Sequence, residues 1–110
     1  MKRPKSIKVL NLDYRVEWCD DDWREQTESH GQHSYAKQTI RIQRTTPQVE
    51  ADTFLHEVMH AIADAMSLSD GATEEEFVSR SATGLAAVFK DNPKAMRWWL
   101  KQVQSSDNKP

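Results

Sequence analysis

The chain has 110 residues, of which 37% are hydrophobic and 29% are charged. This length is typical of a single domain, and the apolar content is too high for a disordered chain. The net charge of −2 favours neither nucleic acid nor an anionic membrane surface as a partner. Because the chain has one cysteine, Cys19, and neither a signal-type segment nor an apolar run of membrane length, we expect a cytoplasmic protein with no membrane partner.

The first third of the chain carries the alternation typical of β-strands. Residues 7–18 alternate between apolar and polar types, which predicts one half-buried strand. Residues 19–30 are acidic and polar and predict a loop, and residues 31–43 predict a β-hairpin with arms at 32–36 and 39–43. Together these segments predict a small three-stranded sheet, antiparallel or mixed. The buried face of the first strand is expected to comprise Leu10, Leu12, Tyr14, Val16 and Trp18.

An amphipathic helix is predicted from Thr46-Pro47 to about Ser67. Thr46 can cap free amides, Pro47 suits the first helical position, and residues 69–71 form a break. At about 100° per residue, apolar and polar side chains separate onto opposite faces of this helix. The apolar face comprises Ala51, Phe54, Leu55, Val58, Ile62, Ala65 and Met66. The polar face comprises Thr53, His56, Glu57, His60, Asp64 and Ser67.

Two more helices are predicted after the break. Thr73 can cap the first of them, and the acids at 74–76 suit its positive N-terminal end. Asn92 is expected to cap the last helix, with Pro93 at its first position. The expected buried stripes are Val78, Ala82, Leu85 and Phe89 in the first, and Met96, Trp99, Leu100 and Val103 in the second. We therefore expect one α+β domain over residues 1–110, with the sheet packed on the first helix and flexible tails at 1–6 and 105–110.

The polar face of the first helix carries the motif His56-Glu57-Val58-Met59-His60. Histidines four residues apart project from one helix face and can bind one metal ion, and zinc suits such ligands. Glu57 is turned by about 100° from His56, so it can reach a water held by the metal. Zinc lowers the pKa of that water toward about 7, and Glu57 can take its proton and return it to a leaving amine. The alternative is two surface histidines with no metal.

A catalytic zinc site usually has a third protein ligand. The extended motif with a third histidine is absent, because Ala63 and Met66 stand where it needs glycine and histidine. An acid from the following helix is therefore expected. The candidates are Glu74, Glu75 and Glu76, and the helical wheel favours Glu75.

Other residues near the motif have weaker interpretations. Asp64 could orient a histidine through the ring nitrogen that faces away from the metal, although a solvated acid is the simpler interpretation. His30 and His33 have ligand-like spacing, but a second metal site is not favoured, and Cys19 is expected to be an idle thiol. Trp98 and Trp99 are expected to pack on the core rather than to cover the cleft.

The order of elements and three stretches of sequence resemble the gluzincin metallopeptidases. The stretches are KQTIRI (37–42), FLHEVMHAI (54–62) and EEEFVSRSATGLAAVFKDNP (74–93). The likeness is strongest to the small minigluzincins and to related phage- and prophage-encoded HExxH proteins. It implies Zn²⁺ bound by His56, His60 and Glu75.

The same resemblance implies that Glu57 is the general base and acid for hydrolysis of a peptide or protein substrate. It further implies that an extended peptide pairs with the hairpin arm ending near Ile42. Larger gluzincins steady the oxyanion with a tyrosine or histidine from a domain that has no counterpart in these residues.

The expected function is therefore zinc-dependent peptide hydrolysis in a bacterial or phage-infected cell. The alternative is a latent or non-enzymatic zinc-binding module that regulates or docks a partner. A nucleic-acid-binding role is not expected, because the charge is balanced.

Overall fold

The computed structural model describes residues 2–20, 30–68 and 71–107. Within them the chain folds as α+β, with a four-stranded mixed sheet in the order β1-β2-β4-β3 and three helices. The strands are β1 (Ser6–Val9), β2 (Leu12–Cys19), β3 (Gly31–Ser34) and β4 (Thr39–Gln43). The helices are α1 (Pro47–Ala65), α2 (Glu74–Asp91) and α3 (Pro93–Val103).

The single strand predicted for residues 7–18 is wrong, because the chain reverses at Leu10 and forms a β1-β2 hairpin. Leu10 adopts a φ of 57°, a left-handed conformation that non-glycine residues seldom take, and no glycine marks the turn. Val9 pairs with Leu12, and directly opposed residues share one face of a sheet. Val9 is therefore buried, although uninterrupted alternation placed it on the polar face.

The hairpin predicted for residues 31–43 is confirmed, with β3 ending at Ser34 rather than at residue 36. Its second strand, β4, lies inside the sheet. It runs parallel to β2, where Val16 is opposite Ile40, and antiparallel to β3, where His33 is opposite Ile40. The sheet is therefore mixed and has four strands instead of three, and β3 forms one of its outer edges.

Helix α1 packs on one face of this sheet and forms the core. Thr46 caps it as predicted, since its Oγ1 accepts from the Val49 amide at 3.4 Å, and the helix ends at Ala65, slightly before the predicted Ser67. Burial of each large aliphatic or aromatic side chain contributes about 1.5–3 kcal/mol. The cluster includes Ile7, Val9, Tyr14, Val16, Ile40, Ile42, Phe54, Val58 and Ile62.

The buried stripe predicted for α2 is wrong at most positions. Val78 and Phe89 are 55% and 43% exposed, whereas Gly84 and Val88 are buried. A Cβ atom on Gly84 would lie 2.5 Å from Ile62 Cγ2, so the glycine lets α2 approach α1 closely. This contact rotates the predicted apolar stripe away from the core.

Helix α3 packs on the core through its tryptophans, as predicted. Trp98 is buried and makes edge contacts with Trp18 and Phe54, at centroid distances of 5.3 and 5.4 Å. Trp99 is partly buried and donates a hydrogen bond from Nε1 to the Ala51 carbonyl at 3.0 Å. Leu100 and Val103 were predicted to be buried, but they are 49% and 39% exposed.

Asn92 was predicted to cap α3, but its side chain makes no cap hydrogen bond. It instead bonds the edge strand β1, accepting from the Lys8 amide at 2.8 Å and donating to the Lys8 carbonyl at 2.7 Å. An edge strand presents free amides and carbonyls, and the asparagine amide satisfies one pair of them. Asn92 thus ties the α2–α3 junction to the sheet.

The segment before β1 is bonded to the core. Arg3 makes two hydrogen bonds with the Glu50 carboxylate, at 2.8 and 3.0 Å, and the Pro4 carbonyl accepts from Trp18 Nε1 at 2.8 Å. The break predicted at 69–71 and the loop predicted at 19–30 fall largely outside the described residues. No helix in the described part of the chain combines the length and apolar character needed to cross a bilayer.

Candidate metal and catalytic site

The two motif histidines lie side by side on the exposed face of α1. Their Nε2 atoms are 3.1 Å apart, and their ring planes cross at 70°. Two nitrogens bound to one tetrahedral zinc, with bonds of about 2.0–2.1 Å, would be about 3.3 Å apart. The separation of the His56 and His60 Nε2 atoms is therefore close to that of two ligands of one zinc ion.

Glu57 lies beneath strand β3, and its side chain is buried, with 7% of it exposed. Gly31 of β3 passes directly over it, because a Cβ atom there would be 2.9 Å from Glu57 Oε2 and 2.6 Å from Thr53 Cγ2. Only glycine permits this approach of strand to helix. The helix face predicted to be polar is thus partly covered by the sheet, which buries Thr53 as well.

His33 joins the motif from β3, two residues after Gly31 and on the same side of the strand. Its Nε2 is 2.9 Å from Asp64 Oδ2, and its Nδ1 is 3.6 Å from Glu57 Oε1. Its ring stacks on that of His60, with centroids 4.9 Å apart and planes at 5°. Sequence reasoning did not place His33 beside the motif. Strand alternation after Gly31 gives its side of the strand, but the pairing with α1 has no local signal.

His33 does not act as a third ligand in this arrangement. Its two ring nitrogens face Asp64 and Glu57, so in this arrangement neither of them is directed at His56 or His60. In the described part of the chain, no three histidine, cysteine, aspartate or glutamate side chains are grouped so as to hold a metal ion.

The glutamates predicted to supply the third ligand lie at the start of α2 and are exposed. Glu76 forms a capping box with Thr73, in which the Glu76 amide donates to Thr73 Oγ1 at 3.1 Å. Glu74 lies about 20° from Ser81 around the helix, whereas Glu75 lies about 120° from it. This difference matters because Ser81 lines a cavity beside the motif histidines.

That cavity has a volume of about 220 Å³ and separates α1 from α2. The Ser81 hydroxyl is buried, with no hydrogen-bond partner among the described residues. The face of α2 that carries Phe77 and Ser81 thus looks toward the histidines, and Glu74 continues that face by one turn. The lining residues are His56, Met59, His60, Ala63, Leu68, Phe77 and Ser81.

Asp64 contacts a histidine, but that histidine is His33 rather than one of the two on its own helix.

Burial raises the pKa of the Tyr14 phenol, and the charge of Asp64 raises it further. His30 lies before β3, where its carbonyl accepts from the Gln43 amide at 2.8 Å. Cys19 ends β2, with Sγ 3.5 Å from Arg41 Nη2.

The arm ending near Ile42 cannot receive an extended peptide, which corrects the expectation drawn from the resemblance. That arm is β4, whose two edges are already bonded to β2 and β3. The strand at the edge of the sheet next to the motif is β3.

Comparisons with protein-family models, curated proteins and solved structures found no match to this chain. Its function has to be inferred from its own residues and their geometry.

Proposed function

We propose that this protein is a zinc-dependent peptide hydrolase in which His56 and His60 bind the ion and Glu57 is the general base. The observation that carries the proposal is the pair of Nε2 atoms 3.1 Å apart on the helix that bears Glu57. When bound, zinc would supply a water of lowered pKa and polarise the scissile carbonyl. Glu57 takes the proton of the attacking water and delivers it to the leaving amine.

The third ligand is proposed to be an acid at the start of α2. The resemblance favours Glu75, whereas the helix face shared with Phe77 and Ser81 favours Glu74. Glu76 is the weakest candidate, because its carboxylate accepts from the Thr73 amide at 3.4 Å. Single changes of each glutamate to glutamine separate the three, since only the ligand change should weaken zinc binding, by about 10-fold or more.

The peptide is proposed to lie along β3, the edge strand that crosses Glu57. An extended chain can add to the outer strand of a sheet through main-chain hydrogen bonds, and β3 is an outer strand among the described residues. This placement would bring a scissile bond past His33 toward the motif histidines. The apolar cavity between α1 and α2 would then receive a side chain of the substrate.

The first test measures zinc stoichiometry and hydrolysis of a peptide library. We expect one zinc per chain, which His56→Ala and His60→Ala abolish, and a higher unfolding temperature with zinc present, since binding to the folded state stabilises it. Glu57→Gln should keep zinc and lose about 10²–10⁴-fold in kcat. Asp52→Asn, at an exposed acid on the same helix, should change neither. If Glu57→Gln hydrolysed peptides as fast as the parent, the proposed base would be wrong.

A second candidate function is a zinc-binding module without turnover. The observation that favours it is the burial of Glu57 beneath Gly31, which restricts access of water to the carboxylate. This function predicts stoichiometric zinc and no hydrolysis of any peptide in the library. The same two measurements therefore decide between the candidates.

A further inference from the structure

Helix α2 carries an apolar stripe on its solvent side, which consists of Val78, Ala82, Leu85 and Phe89. At about 100° per residue these four positions fall within about 60° of the helix circumference. Val78 and Phe89 are 55% and 43% exposed, Ala82 is exposed and Leu85 is half-buried. The centre of the stripe lies about 130° around the helix from Gly84, through which α2 contacts α1. Because α2 packs on its glycine, the stripe faces solvent.

We propose that this stripe pairs with the same stripe of a second copy of the chain, in an antiparallel helix pair around a two-fold axis. Its residues are spaced 4, 3 and 4 apart, which is the spacing of the seam between paired helices. A two-fold axis joins the same surface of both copies, so that surface must be complementary to itself. The inference rests neither on zinc nor on hydrolysis.

The sizes of the stripe side chains favour the antiparallel arrangement. With the axis midway along the stripe, Phe89 of one copy faces Val78 of the other copy, and Leu85 faces Ala82. Each large side chain then meets a smaller one, which suits close interdigitation. In a parallel pair, Phe89 would face Phe89 and Ala82 would face Ala82. The antiparallel pair therefore fills its seam more evenly.

The charges of α2 favour a second copy as the partner. The first turn carries three acids at 74–76, and the last turn carries Lys90. In the antiparallel pair Lys90 lies opposite Phe77, beside the acidic turn of the other copy. Asp91 lies about 150° around the helix from the centre of the stripe, away from the seam. The helix ends also meet with opposite dipoles, so each end of the stripe matches the other end in charge.

Phe89 is held in place before any association. Its ring makes an edge contact with Trp99 of α3, with centroids 6.2 Å apart. An aromatic side chain that is already ordered loses little entropy on binding, and such anchors dominate the binding energy of interfaces. The stripe is short, and small interfaces bind weakly. We therefore expect a dissociation constant on the order of 10 µM.

The first test measures the molar mass of the full chain by sedimentation equilibrium with a metal chelator present. Concentrations from about 1 µM to about 300 µM bracket the expected constant, and the parent should change from monomer to dimer across them. Val78→Asp and Phe89→Asp should each raise the dissociation constant about 10-fold or more, since a charge would enter the apolar seam. Tyr35→Asp, at a 53% exposed residue in the turn between β3 and β4, should leave it unchanged.

Far-UV circular dichroism of the variants at the lowest concentration, where the parent is monomeric, separates loss of pairing from loss of the fold. Both substituted positions face solvent in the monomer, so the spectra should match that of the parent. A parent that stays monomeric throughout would overturn the proposal and leave the stripe to a different partner. A dimer that neither aspartate variant weakens would also overturn it, because another surface would then join the copies.

The second test measures the orientation of the pair. Chains with Val78→Cys are mixed with chains with Phe89→Cys, both in a Cys19→Ser background, and oxidised above the dissociation constant. We expect mainly the mixed disulfide, because the antiparallel pair places these two positions opposite each other and a disulfide needs close Cα atoms. Mainly self-linked products would overturn the antiparallel arrangement.

Discussion

At the scale of single residues, Tyr14 is a buried tyrosine whose hydroxyl has no hydrogen-bond partner among the described residues. Burial, with a contribution from the charge of Asp64, raises the pKa of its phenol. Above a pH of about 10 the unfolded chain therefore loses this proton before the folded protein does. The free energy of unfolding should then fall as the pH rises through that range, whereas below it Tyr14 makes no pH-dependent contribution.

Tyr14→Phe should remove this alkaline loss of stability, because phenylalanine has no proton to release. At neutral pH the change should alter the free energy of unfolding by less than about 1 kcal/mol, since no hydrogen bond is lost. Urea unfolding at pH 7 and pH 10.5, on the parent and variant, measures both effects. Tyr35→Phe, at a tyrosine that is 53% exposed and whose charge makes the smallest contribution to the raised pKa of Tyr14, should keep most of the alkaline loss. An equal alkaline loss in Tyr14→Phe would contradict the prediction.

Glu50 is a second residue whose burial has a measurable consequence. It is 2% exposed and accepts hydrogen bonds from the Arg3 guanidinium and, at 2.8 Å, from the Thr45 amide. Glu50→Gln should lower the free energy of unfolding by about 1–3 kcal/mol, because charge-assisted hydrogen bonds are lost. In addition, the introduced amide NH₂ group would face the N–H donors of Arg3 or Thr45. Glu17→Gln, at a half-buried acid paired with two arginines, should cost less than about 1 kcal/mol. Denaturant unfolding of both variants provides the comparison.

At the scale of elements, the contact between α2 and α1 depends on Gly84. We expect Gly84→Ala to destabilise the fold by about 1–2 kcal/mol, because its Cβ would meet the stiff, branched side chain of Ile62. Helix propensity acts in the opposite direction by about 1 kcal/mol. Ala86→Gly, at an exposed site of α2, calibrates that propensity in thermal and denaturant unfolding. Stabilisation by Gly84→Ala equal to the loss in Ala86→Gly would show that no close contact exists.

The same element shows which parts of a helix can be predicted from sequence. The cap by Thr73 was predicted from its residue type and position, and the structure adds the reciprocal bond from Glu76 that completes a capping box. The buried face was not, since Val78 and Phe89 are apolar but exposed. Helix α2 contacts α1 through Gly84, which has no apolar side chain to mark the buried face in the sequence. The amphipathic pattern therefore predicted the wrong buried face of α2.

At the scale of the whole molecule, α3 completes the core through Trp98. Trp98→Ala should lower the free energy of unfolding by about 3–5 kcal/mol, because a buried aromatic side chain and its contacts with Trp18 and Phe54 are lost. Leu100→Ala, on the exposed side of α3, should cost less than about 1 kcal/mol. Denaturant unfolding measures both. If α3 were a removable lid, Trp98→Ala would raise hydrolysis and leave the stability unchanged.

The sequence by itself determined the local features of this protein: the threonine caps of α1 and α2, the hairpin of β3 and β4, and the two histidines one turn apart on α1. Each depends on residues close together in the chain, whose types and spacing have a direct conformational meaning. Tertiary structure alone decided the strand order, the burial of Glu57 beneath Gly31, and the place of His33 beside the motif. These features join residues more than twenty positions apart, and no local pattern encodes which strand crosses which helix.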